Sequence, residues 1–145
     1  MPTTEATNTQ LQEFRDADQK TPITMVNLLK FRETAIYEDA DHLDAEPVSG
    51  RQAYQRYANV ALSKIRQNGG SVDYLASSEQ CFVGDEEDAW DQVVIVRYPS
   101  RAAYLLGFDS SEYQAAIVHR IAGLEKRLLL QCSVNQIPDG VERSP

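Results

Sequence analysis

His119 and Arg120 stand side by side in the chain and are the two residues best suited to chemistry. An imidazole titrates near neutrality and can pass a proton, while a planar guanidinium can clamp a carboxylate or an enolate. Arg120 falls in line with Tyr113, Ala116, Ile117 and Leu124, so it shares an apolar stripe where an unpaired cation is costly. The structural alternative is that Arg120 pairs with an acidic residue of the sheet or of a second copy, with His119 at the surface. Asn27 sits in the middle of the apolar run ITMVNLLKF. Its amide either orients a ligand carbonyl or satisfies a buried neighbour. Arg97 ends a second apolar run, and Tyr54 and Tyr57 lie on a helical stripe, so these residues and Asn27 are candidates to converge on one ligand-binding rim. Trp90 is a candidate stacking platform, with a place in the core or an interface as the alternative.

Other chemistries find little support. Asp39, Asp41, His42, Asp44 and Glu46 offer oxygen and nitrogen ligands, but without the glycine turn and terminal glutamate spacing of a calcium loop. The chain has 2 histidines in all, which excludes a multi-histidine site within one protomer. No metal and no cofactor is expected. There is no glycine-rich phosphate loop and no G-x-S-x-G elbow, which argues against nucleotide binding and serine-hydrolase chemistry.

The elements that must position these residues follow from periodicity. Leu11, Phe14 and Arg15 predict an N-terminal helix over about 9–19, ended by Thr21-Pro22, with a frayed polar segment before it. Residues 23–31 predict a strand that is apolar on both parities, as when both faces of a sheet are covered. An acidic loop, 33–48, follows. Ser49 and Gln52 form a capping box, and Tyr54, Tyr57, Ala58, Ala61, Leu62 and Ile65 then draw one helical stripe up to a Gly69-Gly70 stop. Further strands are expected over 72–83, interrupted by Ser77, Ser78 and Glu79, and over 90–98. A short helix over 101–106 comes next, then a helix over 110–122 with a capping start at Asp109 and Glu112. The last strand is expected over 125–134, although 125–130 could equally prolong the preceding helix.

The resulting order, β-α-β-β-α-β, is that of a ferredoxin-like α+β fold with an antiparallel four-stranded sheet. Right-handed crossovers place the strands in spatial order 4-1-3-2. With helices for one face only, the other apolar face needs a cover, and a second copy of the sheet is the simplest one. A chain of 145 residues is one domain, with its core at about 23–134. Its net charge of -8 argues against nucleic acid and anionic membrane surfaces as partners. No signal peptide is expected, and Cys81 and Cys132 are expected as buried free thiols in a cytoplasmic protein.

The run WDQVVIVRYPSRAAY, residues 90–104, followed by SSEYQAA at 110–116, resembles family 1330 of the domains of unknown function. The opening MVNLLKFR and the SGRQAYQRY helix are similar to a longer subgroup of it. The resemblance covers about 23–134 and implies the dimeric α/β-barrel superfamily, with a homodimer built through the sheet faces. That superfamily includes monooxygenases, isomerases, cyclases and plain ligand binders. Three functions are therefore open. One is a cofactor-free isomerase, cyclase or monooxygenase for a small oxygenated molecule, with His119 or a tyrosine as acid/base and Arg120 or Arg97 as oxyanion partner. The others are a noncatalytic ligand binder and a structural dimer module.

Overall fold

The computed structural model describes residues 4–39, 41–42 and 46–138. It has the element order α1 (Asn8–Asp16), β1 (Ile23–Phe31), α2 (Gly50–Gln67), β2 (Ser71–Ser77), β3 (Gln92–Tyr98), α3 (Arg101–Leu106), α4 (Ser111–Gly123) and β4 (Leu124–Cys132). The four strands form one antiparallel sheet in the order β2-β3-β1-β4, as the crossover argument requires. This is a ferredoxin-like α+β fold.

The local signals account for most boundaries. Ser49 caps α2 by accepting the Gln52 N–H at 3.0 Å, and the Gln52 side chain accepts the Ser49 N–H in return at 2.9 Å. Gly69 ends the helix at φ +82°, a left-handed conformation that side chains resist. A capping box at Thr7 and Gln10 starts α1. The helix stops at Asp16 because the Gln19 amide turns back and donates to the carbonyls of Phe14, Arg15 and Ala17 at 2.8–3.0 Å. At α4 the cap is Ser110, not Asp109, with its hydroxyl accepting the Tyr113 N–H at 3.3 Å.

Three expectations need correction. The second strand ends at Ser77 instead of running to Val83, because its ladder on β3 is exhausted at the Ser77–Gln92 pair. The polar break at Ser77-Ser78 is thus a terminus, not an interruption. The chain then makes an excursion in which Phe82 and Val83 are 82% and 90% exposed. Cys81 lies on that excursion, so it is an exposed thiol; Cys132 is half-buried, and both are free. The N-terminal segment is also anchored at Glu5, whose carboxylate reaches the fold's interior. Residues 125–130 are strand, which resolves the ambiguity at the end of α4. In the acidic loop, Thr34 bridges Ser49, while Asp44 lies outside the described residues.

The register of β1 decides which side chains face the helices. Ile23, Met25 and Leu29 are buried and point to the helical side with Val96 and Tyr98 of β3; Phe14, Ile65, Tyr104 and Leu129 pack around them. The opposite parity carries Val26 and Leu28. They lie beside Ile95 and Val93 of β3 and Leu130 and Leu128 of β4, and none of these six is fully buried.

The two long helices meet across a contact that only glycine allows. A Cβ on Gly50 would lie 2.5 Å from the Gly123 carbonyl oxygen and 2.2 Å from that of Arg32, and one on Gly123 would lie 2.4 Å from the Gly50 carbonyl oxygen. Arg32 ties both ends, donating its N–H to Gly123 at 2.8 Å and accepting that of Gly50 at 3.0 Å. Gly123→Ala must therefore force the backbones apart. We expect a loss of about 3 kcal/mol or more in urea unfolding, at the upper end of overpacking costs. A loss under about 0.5 kcal/mol, the range of neutral surface changes, would contradict the contact.

Candidate functional site

The helical side of the sheet does not close completely. A cavity of about 160 Å³ lies between α2 and the inner sheet face and is capped by the aromatic residues around α3 and the start of α4. Its sheet wall carries Met25, Asn27, Val94, Val96, Leu129 and Arg127, and its helical wall carries Tyr54, Tyr57, Ala61 and Ile65. Tyr98, Tyr104, Phe108 and Tyr113 complete it. The aromatic rings pack edge-on in a continuous chain, with centroids 5.0–5.4 Å apart from Tyr98 through Tyr104 and Phe108 to Tyr113. Such a chain is stiff, which keeps the space from collapsing.

The lining is apolar with sparse polar groups. The Asn27 amide donates to the Val94 carbonyl at 3.1 Å, and its oxygen accepts no hydrogen bond from a described residue. The hydroxyls of Tyr54, Tyr98 and Tyr104 likewise have no partner among the described residues. Tyr98 is only 8% exposed. Burial pushes the pKa of Tyr54, Tyr98, Tyr104 and Tyr113 up, so these phenols stay neutral and act as donors, not as bases.

At one end the cavity abuts a buried cation. Arg120 is 4% exposed; its Nη1 donates to the hydroxyls of Tyr113 at 3.2 Å and Tyr57 at 3.4 Å, and its Nη2 to Glu5 Oε1 at 2.5 Å. Burial works to lower its pKa, but Tyr57, Tyr113 and Glu5 outweigh that and hold it above its ordinary value. The Tyr57 and Tyr113 hydroxyls lie 2.9 Å apart. One donates to the other, and the second proton has no acceptor among the described residues. Arg120 thus orients two phenols that line the cavity without lining it itself.

The candidate residues therefore separate. Asn27, Tyr54 and Tyr57 come together on the cavity wall. Arg97 points from the outer side and pairs with Asp73 at 3.1 Å on the surface. Trp90 precedes β3 and lies under the Lys126 ammonium, 4.5 Å from its ring centroid. His119 faces away from the cavity, toward the acidic loop. Its Nδ1 shares a 2.6 Å hydrogen bond with the Tyr37 hydroxyl, which accepts from Arg56 at 3.2 Å, and its ring stands edge-on to His42. Arg120 has its acidic partner in neither the sheet nor a second copy but in Glu5, 115 residues away in the chain.

Two residues at the site, Glu5 and Arg127, escape the sequence reading. A signal for Arg127 exists: it shares the parity of Leu129 in EKRLLLQC, so an inward cation follows once the segment is known to be a strand. Glu5 has no comparable signal, because an ion pair between distant segments leaves no local pattern. Among the described residues no three His, Cys, Asp or Glu side chains cluster as metal ligands. None of the helices is long and apolar enough to cross a membrane, judged over those residues.

A four-stranded antiparallel sheet with an aromatic cavity under its helices defines a ferredoxin-like α+β protein. The chain belongs to the family described as a domain of unknown function, DUF1330, whose sequence profile matches residues 44–131. It is similar to the crystal structure of RPA0582, a protein of unknown function from Rhodopseudomonas palustris. That likeness has a TM-score of 0.85 and 28% identity and covers 94% of this chain and 100% of that one. It also shares its fold with SnoaB, a cofactor-independent oxygenase from Streptomyces nogalater, with a TM-score of 0.50 and 9% identity over 82% of this chain and 98% of that one. Among curated proteins no sequence matches.

The His119 environment makes one prediction about pH. Desolvation, then the nearby His42 and Arg56, lower its pKa below the ordinary value, and only Asp39 acts the other way. The folded state then binds fewer protons than the unfolded state just below the unfolded pKa, so this contribution falls as pH drops through about 6.5. Thermal unfolding from pH 7.5 to 5 should show a smaller loss of stability in His119→Asn than in the parent. Identical pH profiles would remove His119 from that dependence.

Proposed function

We propose that the protein binds a small oxygenated organic molecule, about one ring in size, in the cavity between α2 and the sheet. The observation that carries this reading is the cluster of unpartnered tyrosine hydroxyls, Tyr54, Tyr98 and Tyr104, around an otherwise apolar space. These hydroxyls are open to the cavity, and an oxygenated ligand supplies the acceptors they lack. Size supports the same reading, since an apolar cavity of roughly 150 Å³ holds benzene. Asn27, Tyr54 and Tyr57 are ligand-binding residues here, with Arg120 as the group that positions Tyr57 and Tyr113. His119, Trp90 and Arg97 take no part in it.

A catalytic form of this reading is favoured by the Tyr57–Tyr113–Arg120 chain. Neutral phenols backed by a fixed cation would stabilise negative charge developing on a ligand oxygen. The cavity wall holds no group that would take a proton at neutral pH. The chemistry it suits is therefore a step on a ligand that arrives already ionised, as an enolate or phenolate, whose charge these donors would hold. A cytoplasmic location fits the free thiols of Cys81 and Cys132.

The test is thermal unfolding with phenol and hydroquinone. At ten times Kd the midpoint should rise by about 3–6 °C. Ala61→Phe and Val94→Phe fill the cavity from opposite walls, and either should abolish the shift. No shift with either compound, or a full shift in a folded filled variant, would refute the site.

The outer sheet face carries the second part of the reading, a homodimer. Val26, Leu28, Val93, Ile95, Leu128 and Leu130 form one apolar surface, and the core that α1, α2 and α3 pack against lies on the other side of the sheet. A twofold copy of the same face covers it and closes the assembly. Register selects the residue to change. Ile95 points to the proposed interface and Val94 to the cavity. Ile95→Glu should yield monomers or aggregates in sedimentation, whereas the parent runs as a dimer. A well-folded parent monomer at micromolar concentration would contradict the dimer.

A further inference from the structure

Arg127 is the charged group the site does not use. Its side chain is 13% exposed, and it lines the cavity beside Leu129 and Met25. It makes no hydrogen bond to a described residue, and its one charged neighbour, Glu5 Oε2, lies 3.9 Å away, beyond hydrogen-bond reach. The other oxygen of the same carboxylate is held by Arg120 at 2.5 Å. One carboxylate thus faces two guanidiniums, tight on one and loose on the other. The remaining cation on the lining, Lys64, has its own partner, Glu112, at 3.5 Å. A guanidinium has five donors in a planar fork, and those of Arg127 stay open to the cavity for a ligand to use.

We propose that the cavity's ligand is a small monocarboxylate whose carboxylate sits on Arg127, and that Glu5 is the internal counter-ion it displaces. The proposal rests on the reading of the cavity as a ligand site and names the ligand's chemical class. A monoanion gives the Arg127 guanidinium the close partner it lacks, and its fork matches a carboxylate edge to edge. Met25, Val94 and Leu129 beside it suit a ring or short unsaturated chain, while the Tyr54 hydroxyl supplies a neutral donor to the same end. Glu5 is suited to yield. Its side chain is 47% exposed, and it lies outside any helix or strand, two residues before the Thr7 cap. Arg120 keeps Glu5 Oε1 and the two tyrosines when Oε2 turns away from Arg127, so the cavity wall does not depend on the displaced contact.

Calorimetric titration of the full chain with benzoate and with its neutral isostere benzamide tests this. Benzoate should bind at least tenfold more tightly than benzamide. Arg127→Met should bring benzoate down to the affinity of benzamide while leaving benzamide unchanged. Glu5→Gln removes the competing carboxylate and should tighten benzoate several-fold with no effect on benzamide; should Arg127→Met not fold, Glu5→Gln and Arg127→Gln provide the same comparison. Equal affinities for the two probes in the parent, or benzoate binding unchanged in the Arg127 variants, would overturn the carboxylate assignment alone. Failure of benzoate, benzamide and phenol to bind at all would overturn the cavity reading on which it rests.

Discussion

A guanidinium that cannot shed its charge is buried on α4, and much of the molecule is arranged around it. Arg120 has to be satisfied where it lies, and its partners come from three separated segments. Tyr57 is supplied by α2, Tyr113 by the first turn of α4, and Glu5 by the segment before α1. Through Glu5 the network reaches Arg127 of β4, so the N-terminus, both long helices and an edge strand share one electrostatic knot. Removing one member of such a buried set leaves others unpaired, which typically costs about 3–5 kcal/mol. The close Gly50–Gly123 approach serves the same end, because it holds α2 against α4 at the spacing that lets Tyr57 and Tyr113 meet.

The knot also defines what the cavity can do. Arg120 donates to the oxygens of Tyr57 and Tyr113, so the two phenols are held in place with one hydroxyl proton left for a ligand. Burial keeps the surrounding tyrosines protonated, so the lining groups include phenol donors, the Asn27 amide and the underused Arg127 cation. A lining of that kind recognises oxygens, and anionic ones best. It is poorly equipped to abstract a proton, because the one imidazole on α4 points to the other side of the helix, against Tyr37 and His42.

Much of this was legible in the chain. The two-sided apolarity of ITMVNLLKF marks a central strand that needs cover on both faces, and β1 is that strand. The strand order follows from handedness, and Ser49 with Gln52 marks the start of α2 to the residue. His119 and Arg120 show where residue type alone misleads: adjacent helical positions differ in direction by about 100°, so only one of the two can face the interior. The stripe through Tyr113, Ala116 and Ile117 already selected Arg120. Arg127 was hidden for a different reason. Parity has meaning only once a segment is known to be a strand, and KRLLL suits a helix as well. Cys81 was misjudged because a β-rich composition around it suggests a strand, while the ladder partner that would make one is missing beyond Gln92.

The central claim is that the space between α2 and the sheet receives an anionic ligand whose charge is met by Arg127. A crystal structure of the full chain soaked with 4-bromobenzoate tests it most directly, since the bromine can be located by its anomalous signal. The account predicts a carboxylate within about 2.9 Å of the Arg127 guanidinium nitrogens, the charge-assisted distance, with bromine deep in the cavity beside Val94 or Val96 and Glu5 withdrawn from Arg127. Bromine found only outside the cavity, or a ring in the cavity with its carboxylate turned away from Arg127, would contradict it.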